Sequence, residues 1–162
     1  MNSSRPRFVA DVMLGSLARW LRILGYDVLY DRTIADQTIV ELSVSENRIA
    51  LTRDRRLVQR RRLTRYCLIE SEDVHQQIVE VMSCLGEEIH PEHLLTRCIR
   101  CNTPLDRVSP ASVAAEVPAY VLQTRKHFSR CPDCKKVYWR GTHRERMLER
   151  LHSLQAELQK SS

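Results

Sequence analysis

Short apolar runs alternate with segments of helical periodicity through the first half of the chain, and this alternation restricts the fold more than any other feature. Arg7–Ala10 (RFVA) reads as a strand. Leu14–Leu24 reads as a helix with Leu14, Leu17, Ala18, Leu21 and Leu24 on one stripe, and Asp27–Tyr30 as a second strand. Gly25 stands where a helix C-cap is expected. Ala35–Ser45 predicts a second helix, capped by Asp36 or its neighbour, with Ile39, Val40 and Leu42 facing inward. Arg48–Thr52 reads as a third strand, Arg55–Arg62 as a basic helical segment and Tyr66–Glu70 as a fourth strand. Ser71–Leu85 reads as a helix with Val74, Ile78, Val79 and Met82 on its apolar face. Such alternation predicts a parallel sheet flanked by helices, with right-handed connections. The pattern stops at Gly86–His93, a linker, which divides the chain into residues 1–90 and 91–162. Beyond it lie two cysteine pairs, the segment SPASVAAEV with the look of a helical insertion, a short strand over Lys136–Gly141 and a polar helix from about Thr142 to Gln159.

A length of 162 residues accommodates one compact domain and a small appendage. No apolar run is long enough to span a bilayer, and the start MNSSRPRF lacks the apolar core of a signal peptide, so a cytoplasmic location and no membrane partner are expected. The net charge of +6 is unevenly distributed. Residues 1–96 carry 13 Lys and Arg against 14 Asp and Glu, whereas residues 97–162 carry 13 against 6. Within the first part, Arg53–Arg65 (RDRRLVQRRRLTR) holds seven arginines and one aspartate. Guanidinium forks bind phosphate bidentately, and a solvated basic face is the plain alternative.

In an open parallel sheet, sites form at the carboxyl ends of the strands. Asp11 directly follows the first strand; Asp31 comes after the second and Asp54 after the third, in ALTRD, while Asp36 opens the helix after the second. Carboxylates crowded at one edge suit a divalent cation, and aspartate oxygens favour Mg²⁺ or Mn²⁺, the ions of phosphodiester cleavage. Each acid also has a structural reading: Asp36 as a cap, Asp31 as a turn residue, Asp54 as a partner of Arg53, Arg55 or Arg56.

Cys98 and Cys101 (CIRC) and Cys131 and Cys134 (CPDC) form two CxxC pairs separated by 29 residues, the donor set of a closed tetrahedral Zn²⁺ site. Redox chemistry is the rival, but neither pair lies in a βαβ unit. Zinc would stabilise a segment too small for a core of its own. Cys67 and Cys84 lie on apolar elements and are expected to be buried. His143 reads as the start of the last helix or as a phosphate contact. Tyr138 and Trp139, beside Lys135, Lys136 and Arg140, read as a base-stacking surface or as a cover for the zinc knuckle.

The motifs FVADVMLGSLARWLRILGYDVLY, LTRDRRL, RCIRCN and CPDCKKVYWRGTHRERM, in this order, resemble the Mut-seven C-terminal domain family over about residues 7–151. The resemblance implies an α/β, PIN-like parallel sheet flanked by helices, followed by a small zinc ribbon, and ribonuclease activity on RNA, expected to be single-stranded. It implies that Asp11, Asp36 and Asp54 hold a catalytic Mg²⁺ or Mn²⁺, with a fourth acid among Asp31, Glu72 and Asp73. Arg19, Arg22 and Arg53 are then expected to contact phosphate or orient the acids. The alternatives are a non-catalytic RNA-binding module and a regulatory partner whose nuclease is silent until assembly.

Overall fold

Four short strands pair in parallel, Arg7–Ala10 (β1), Asp27–Leu29 (β2), Ile49–Thr52 (β3) and Tyr66–Leu68 (β4), in the order β2-β1-β3-β4. The structure is a computed structural model that describes residues 4–160, so the first residues of the MNSSRPRF start lie outside it. The central strands are buried on both faces because helices cover both. Phe8, Ala10 and Leu51 pack against Leu17 and Leu21 of Gly15–Ile23 (α1) and Ile78 and Met82 of Val74–Leu85 (α3). On the other face Val9 and Ala50 meet Ile39 and Val40 of Asp36–Ser45 (α2), together with Leu57 and Leu63.

The segment Arg55–Arg62, expected to be helical, is only a single 3-10 turn over Leu57–Gln59 within irregular chain. Its two anchors, Leu57 and Leu63, are both buried in the same cluster. Six positions apart, they would lie about 120° from one another around an α-helix, off a single narrow stripe, and the irregular chain brings both to one cluster instead. The arginines between them are left in solvent.

The second part holds a three-stranded antiparallel sheet of Asp106–Val108 (β5), Phe128–Arg130 (β6) and Val137–Trp139 (β7), in that order. The connection between β5 and β6 folds as a 3-10 turn over Pro110–Val113 and a short helix, Ala119–Thr124 (α4). Val113, Val117, Val121 and Phe128 form a small core there. The last helix, Thr142–Lys160 (α5), returns to the first part: Leu151 is buried in the α1–α3 cluster and Leu148 packs against it. Cys67 is buried as expected, but Cys84 is exposed, and the two are joined as a disulfide linking β4 to α3. No helix among the described residues is long and apolar enough to cross a membrane.

A polar seam along β2 joins the two parts. The Val28 N–H donates to Asn102 Oδ1 at 2.9 Å, and the Val28 carbonyl accepts from Arg22 Nη2 at 2.8 Å and Nε at 3.1 Å. Arg22 Nη1 reaches across to the carbonyls of Ile99 and Arg100 at 2.9 and 3.2 Å. Asp27 accepts from Asn102 Nδ2 at 2.7 Å and from Arg48 Nη1 at 2.8 Å. Gly25, at φ +85°, lies beneath this seam: a Cβ there would collide with the His93 carbonyl and come within 2.8 Å of Thr96 Oγ1. Only glycine meets both the backbone angle and the close approach.

Burial pushes the Asp27 carboxyl up, but hydrogen bonds from Arg48 and Asn102 outweigh it and hold the group below its ordinary value. A depressed carboxyl contributes stability above its unfolded pKa of about 3.9 and loses it as pH falls through the folded value. Asp27→Asn is therefore expected to cost about 1–3 kcal/mol in urea unfolding at neutral pH. The difference from the parent should shrink as the solution is acidified below about pH 4.

Candidate functional site

Parallel pairing brings the carboxyl ends of β1 and β3 side by side. The Asp11 N–H donates to the Leu51 carbonyl at 3.0 Å, so Asp11 is held in the sheet ladder at the end of β1. Its side chain is only 6% exposed. Oδ1 accepts from the Met13 N–H at 2.8 Å, capping the 3-10 turn Val12–Leu14, and Oδ2 accepts from Thr52 Oγ1 at 2.5 Å. Thr52, fully buried, also accepts from the Asp54 N–H at 2.9 Å. One hydroxyl thus ties the two aspartates together, donating to one and accepting from the backbone of the other. Asp54 Oδ1 accepts from the Arg56 N–H at 2.7 Å. Sequence reading missed Thr52; the signal is a hydroxyl at the last position of an otherwise apolar strand, IALT. Beyond Asp11, Tyr30 donates to the Val12 carbonyl at 3.0 Å, its ring lying so close to Gly15 that a Cβ there would approach the phenol oxygen to 2.7 Å.

Neither Asp11 nor Asp54 has a basic side chain within ion-pair distance among the described residues. Buried carboxylates ordinarily have a cationic partner or a metal. Asp36 is placed differently. It is the first residue of α2, exposed at the same edge, and meets Arg60 Nη2 at 3.5 Å. The carboxylates do not close into a group of three donors within 4.8 Å of one another; among the described residues only the four cysteines do. The candidates for a fourth acid have local partners. Asp31 accepts from the Thr33 N–H and hydroxyl at 2.7 and 2.6 Å, Asp73 caps α3 through the Gln76 N–H, and Glu72 meets Arg53 at 3.5 Å.

The arginines separate into two kinds. Arg22, expected to contact phosphate, is 7% exposed and spends its donors on four carbonyl contacts in the seam, so its role is structural. Its sequence signal was its position four residues after buried Ala18, on the apolar stripe of α1. Arg19 is exposed on α1, beside a hollow of about 250 Å³ with Ser16, Trp20 and Ile23. Arg53 lies next to Asp54, turned toward Glu72 and the Glu70 carbonyl. Arg56, Arg61 and Arg62 are exposed, and no carboxylate meets their side chains among the described residues.

The Sγ atoms of Cys98, Cys101, Cys131 and Cys134 all lie within 4.8 Å of one another. The Tyr138 hydroxyl accepts from the Ile99 N–H and bonds to Cys98 Sγ, each at 3.1 Å. Burial pushes the Cys98 thiol up, but Tyr138 and the backbone around Cys101 outweigh it and bring it down to about 6. Cys101 is pushed up to about 12 by burial and by the adjacent thiols. Four sulfurs this close cannot all ionise unaided, and a divalent cation relieves that repulsion. The donor set fits a closed tetrahedral metal site such as zinc. Both pairs lie outside the parallel sheet, as the metal reading expects.

No curated protein and no solved structure matches the chain. A family model described as the Mut7-C RNAse domain matches residues 6–151, a span containing both the aspartates at the sheet edge and the four cysteines. The chain belongs to the Mut7-C RNAse domain family.

Proposed function

We propose that the chain is a metal-dependent ribonuclease, with Asp11, Asp36 and Asp54 as ligands of a catalytic Mg²⁺ or Mn²⁺ and Cys98, Cys101, Cys131 and Cys134 as ligands of a structural Zn²⁺. One observation carries the reading beyond family membership: Asp11 is a buried carboxylate without a cationic partner, coupled through Thr52 to a second aspartate at the same edge. When bound, Mg²⁺ or Mn²⁺ supplies an activated water and stabilises the leaving oxygen of a phosphodiester. Thr52 holds Asp11 Oδ2 and the Asp54 backbone in register, and Asp54 keeps Oδ2 for a ligand. Asp36 is held by an exposed ion pair, which is weak and readily exchanged. Arg53, Arg56, Arg61 and Arg62, with Arg19, are the cations left to meet the phosphates of a single-stranded RNA.

A second reading, an RNA-binding module without catalysis, is favoured by the Asp36–Arg60 pair and by the turn and cap roles of Asp31 and Asp73. Asp11→Asn and Asp54→Asn separate the two. Under the nuclease reading each lowers Mn²⁺-dependent cleavage of single-stranded RNA by roughly a hundredfold or more while RNA affinity is kept. Unchanged cleavage would exclude these acids from the chemistry. Thr52→Val is expected to lower cleavage as well, and to cost about 1–3 kcal/mol of stability because it removes a buried donor from Asp11. Metal analysis of the purified chain should give about one zinc per molecule, and chelation should unfold the second sheet, read as lost amide dispersion in residues 98–139.

A further inference from the structure

A cavity of about 290 Å³ opens on the second sheet, on the face opposite the small Val113–Phe128 core. Strand register sets Arg107, Ser129 and Tyr138 in one row across β5, β6 and β7. The two-residue alternation of strands adds Leu105, His127 and Arg140 to the same face. Leu94–Thr96 closes the cavity from the other side, with the Leu95 N–H bonded to the Ile23 carbonyl at 2.8 Å. The floor is apolar and the wall is cationic.

Its charge has no compensation. No acidic side chain lines the cavity, and among the described residues neither Arg107 nor Arg140 has a carboxylate within ion-pair distance. Arg107 Nη2 instead donates to His127 Nδ1 at 2.6 Å, so a ring nitrogen and not a carboxylate meets this guanidinium. Arg140 also acts on Arg144: burial and then the neighbouring Arg140 push the Arg144 guanidinium down to about 10, and its buried Nε has no hydrogen-bond partner among the described residues. A concave surface of this kind attracts an anion, and guanidinium pairs match phosphate geometry. The apolar floor favours an anion that also carries a ring, and the volume is near the lower bound of about 300 Å³ for small-molecule sites.

We infer that this cavity takes one nucleotide of single-stranded RNA, its phosphate between Arg107 and Arg140 and its sugar or base on Leu95 and Leu105. The inference rests on the reading of the chain as an RNA-directed protein, but not on its catalysis. The closing loop is bonded to Ile23 at the end of α1, toward the edge of the sheet opposite the aspartates. Strand length alone puts about 10 Å between the two places, so they contact different nucleotides.

The test uses the full zinc-loaded chain without added Mg²⁺ or Mn²⁺, and a 5′-labelled oligouridylate read by fluorescence anisotropy. Arg107→Gln with Arg140→Gln should weaken binding roughly tenfold and flatten the slope of log affinity against log salt by about 1. Arg125→Gln with Lys126→Gln serves as the charge control and should do much less. As a check independent of folding variants, uridine 5′-monophosphate titrated into the parent chain should shift the NMR signals of the His127 ring and the Ser129 amide. Equal losses from both double variants, or no shift at His127 and Ser129, would overturn the inference. So would a poly-glutamate peptide shifting these signals where the nucleotide does not. If Asp11→Asn leaves cleavage intact while the cavity variants lose RNA, the catalytic assignment fails and this site stands. The reverse pattern removes the site and keeps the catalysis.

Discussion

An edge strand presents a row of backbone donors and acceptors that nothing in its own sheet can satisfy. At β2 this need is met by side chains and not by another strand: Asn102 accepts from the Val28 N–H, and Arg22 donates to the Val28 carbonyl. The same guanidinium then reaches the carbonyls of Ile99 and Arg100, and Asp27 binds Asn102 while paired with Arg48. The edge is therefore closed by the loop that carries the first cysteine pair. Placement of the four-cysteine part, the packing of Gly25 against the linker and the position of the cavity all depend on how this one strand disposes of its outward-facing groups.

The opposite economy governs the carboxyl ends of the strands. Basic residues are plentiful in Arg53–Arg65, yet Arg53, Arg55, Arg60 and Arg65 are directed to Glu72, Glu70, Asp36 and Asn47, and none of the run lies within ion-pair distance of Asp11 or Asp54 among the described residues. A buried acid next to many arginines and paired with none is costly unless something else takes its charge. The hydroxyl of Thr52 spreads the cost by bonding to one acid and anchoring the backbone of the next. The third acid of this edge, Asp36, stands on the first turn of α2 and is paired with Arg60.

The parts of this structure legible in the sequence are those with local causes. Phe8, Val9 and Ala10 alternate between the two helical layers, and the stripe Leu14, Leu17, Ala18, Leu21 makes a helix whatever surrounds it. Asp11 and Asp54 could be marked because each lies within two residues of the end of an apolar strand, and the cysteines because two CxxC pairs are a known donor spacing. Other parts depend on partners remote in the chain. β5 and β6 are three-residue strands with too few positions to show alternation, and they form beside a four-cysteine cluster. The position of Arg22 on the apolar stripe of α1 marks it as inward-facing, but its partners, the carbonyls of Val28, Ile99 and Arg100, are remote and leave no local trace. The run after β3 looks helical by composition, yet it forms a single 3-10 turn with Leu57 and Leu63 as its buried anchors.

Helix α5 gives the four-cysteine part a second attachment of a different kind. One junction, at β2, is made of charges and amides; the other, through Leu148 and Leu151, is made of hydrocarbon in the α1–α3 core. Ionic strength screens the first and favours the second, whereas cooling weakens the second and spares the first. A module fastened by two clasps that answer oppositely to solvent keeps its orientation over conditions in which either clasp alone would let it swing.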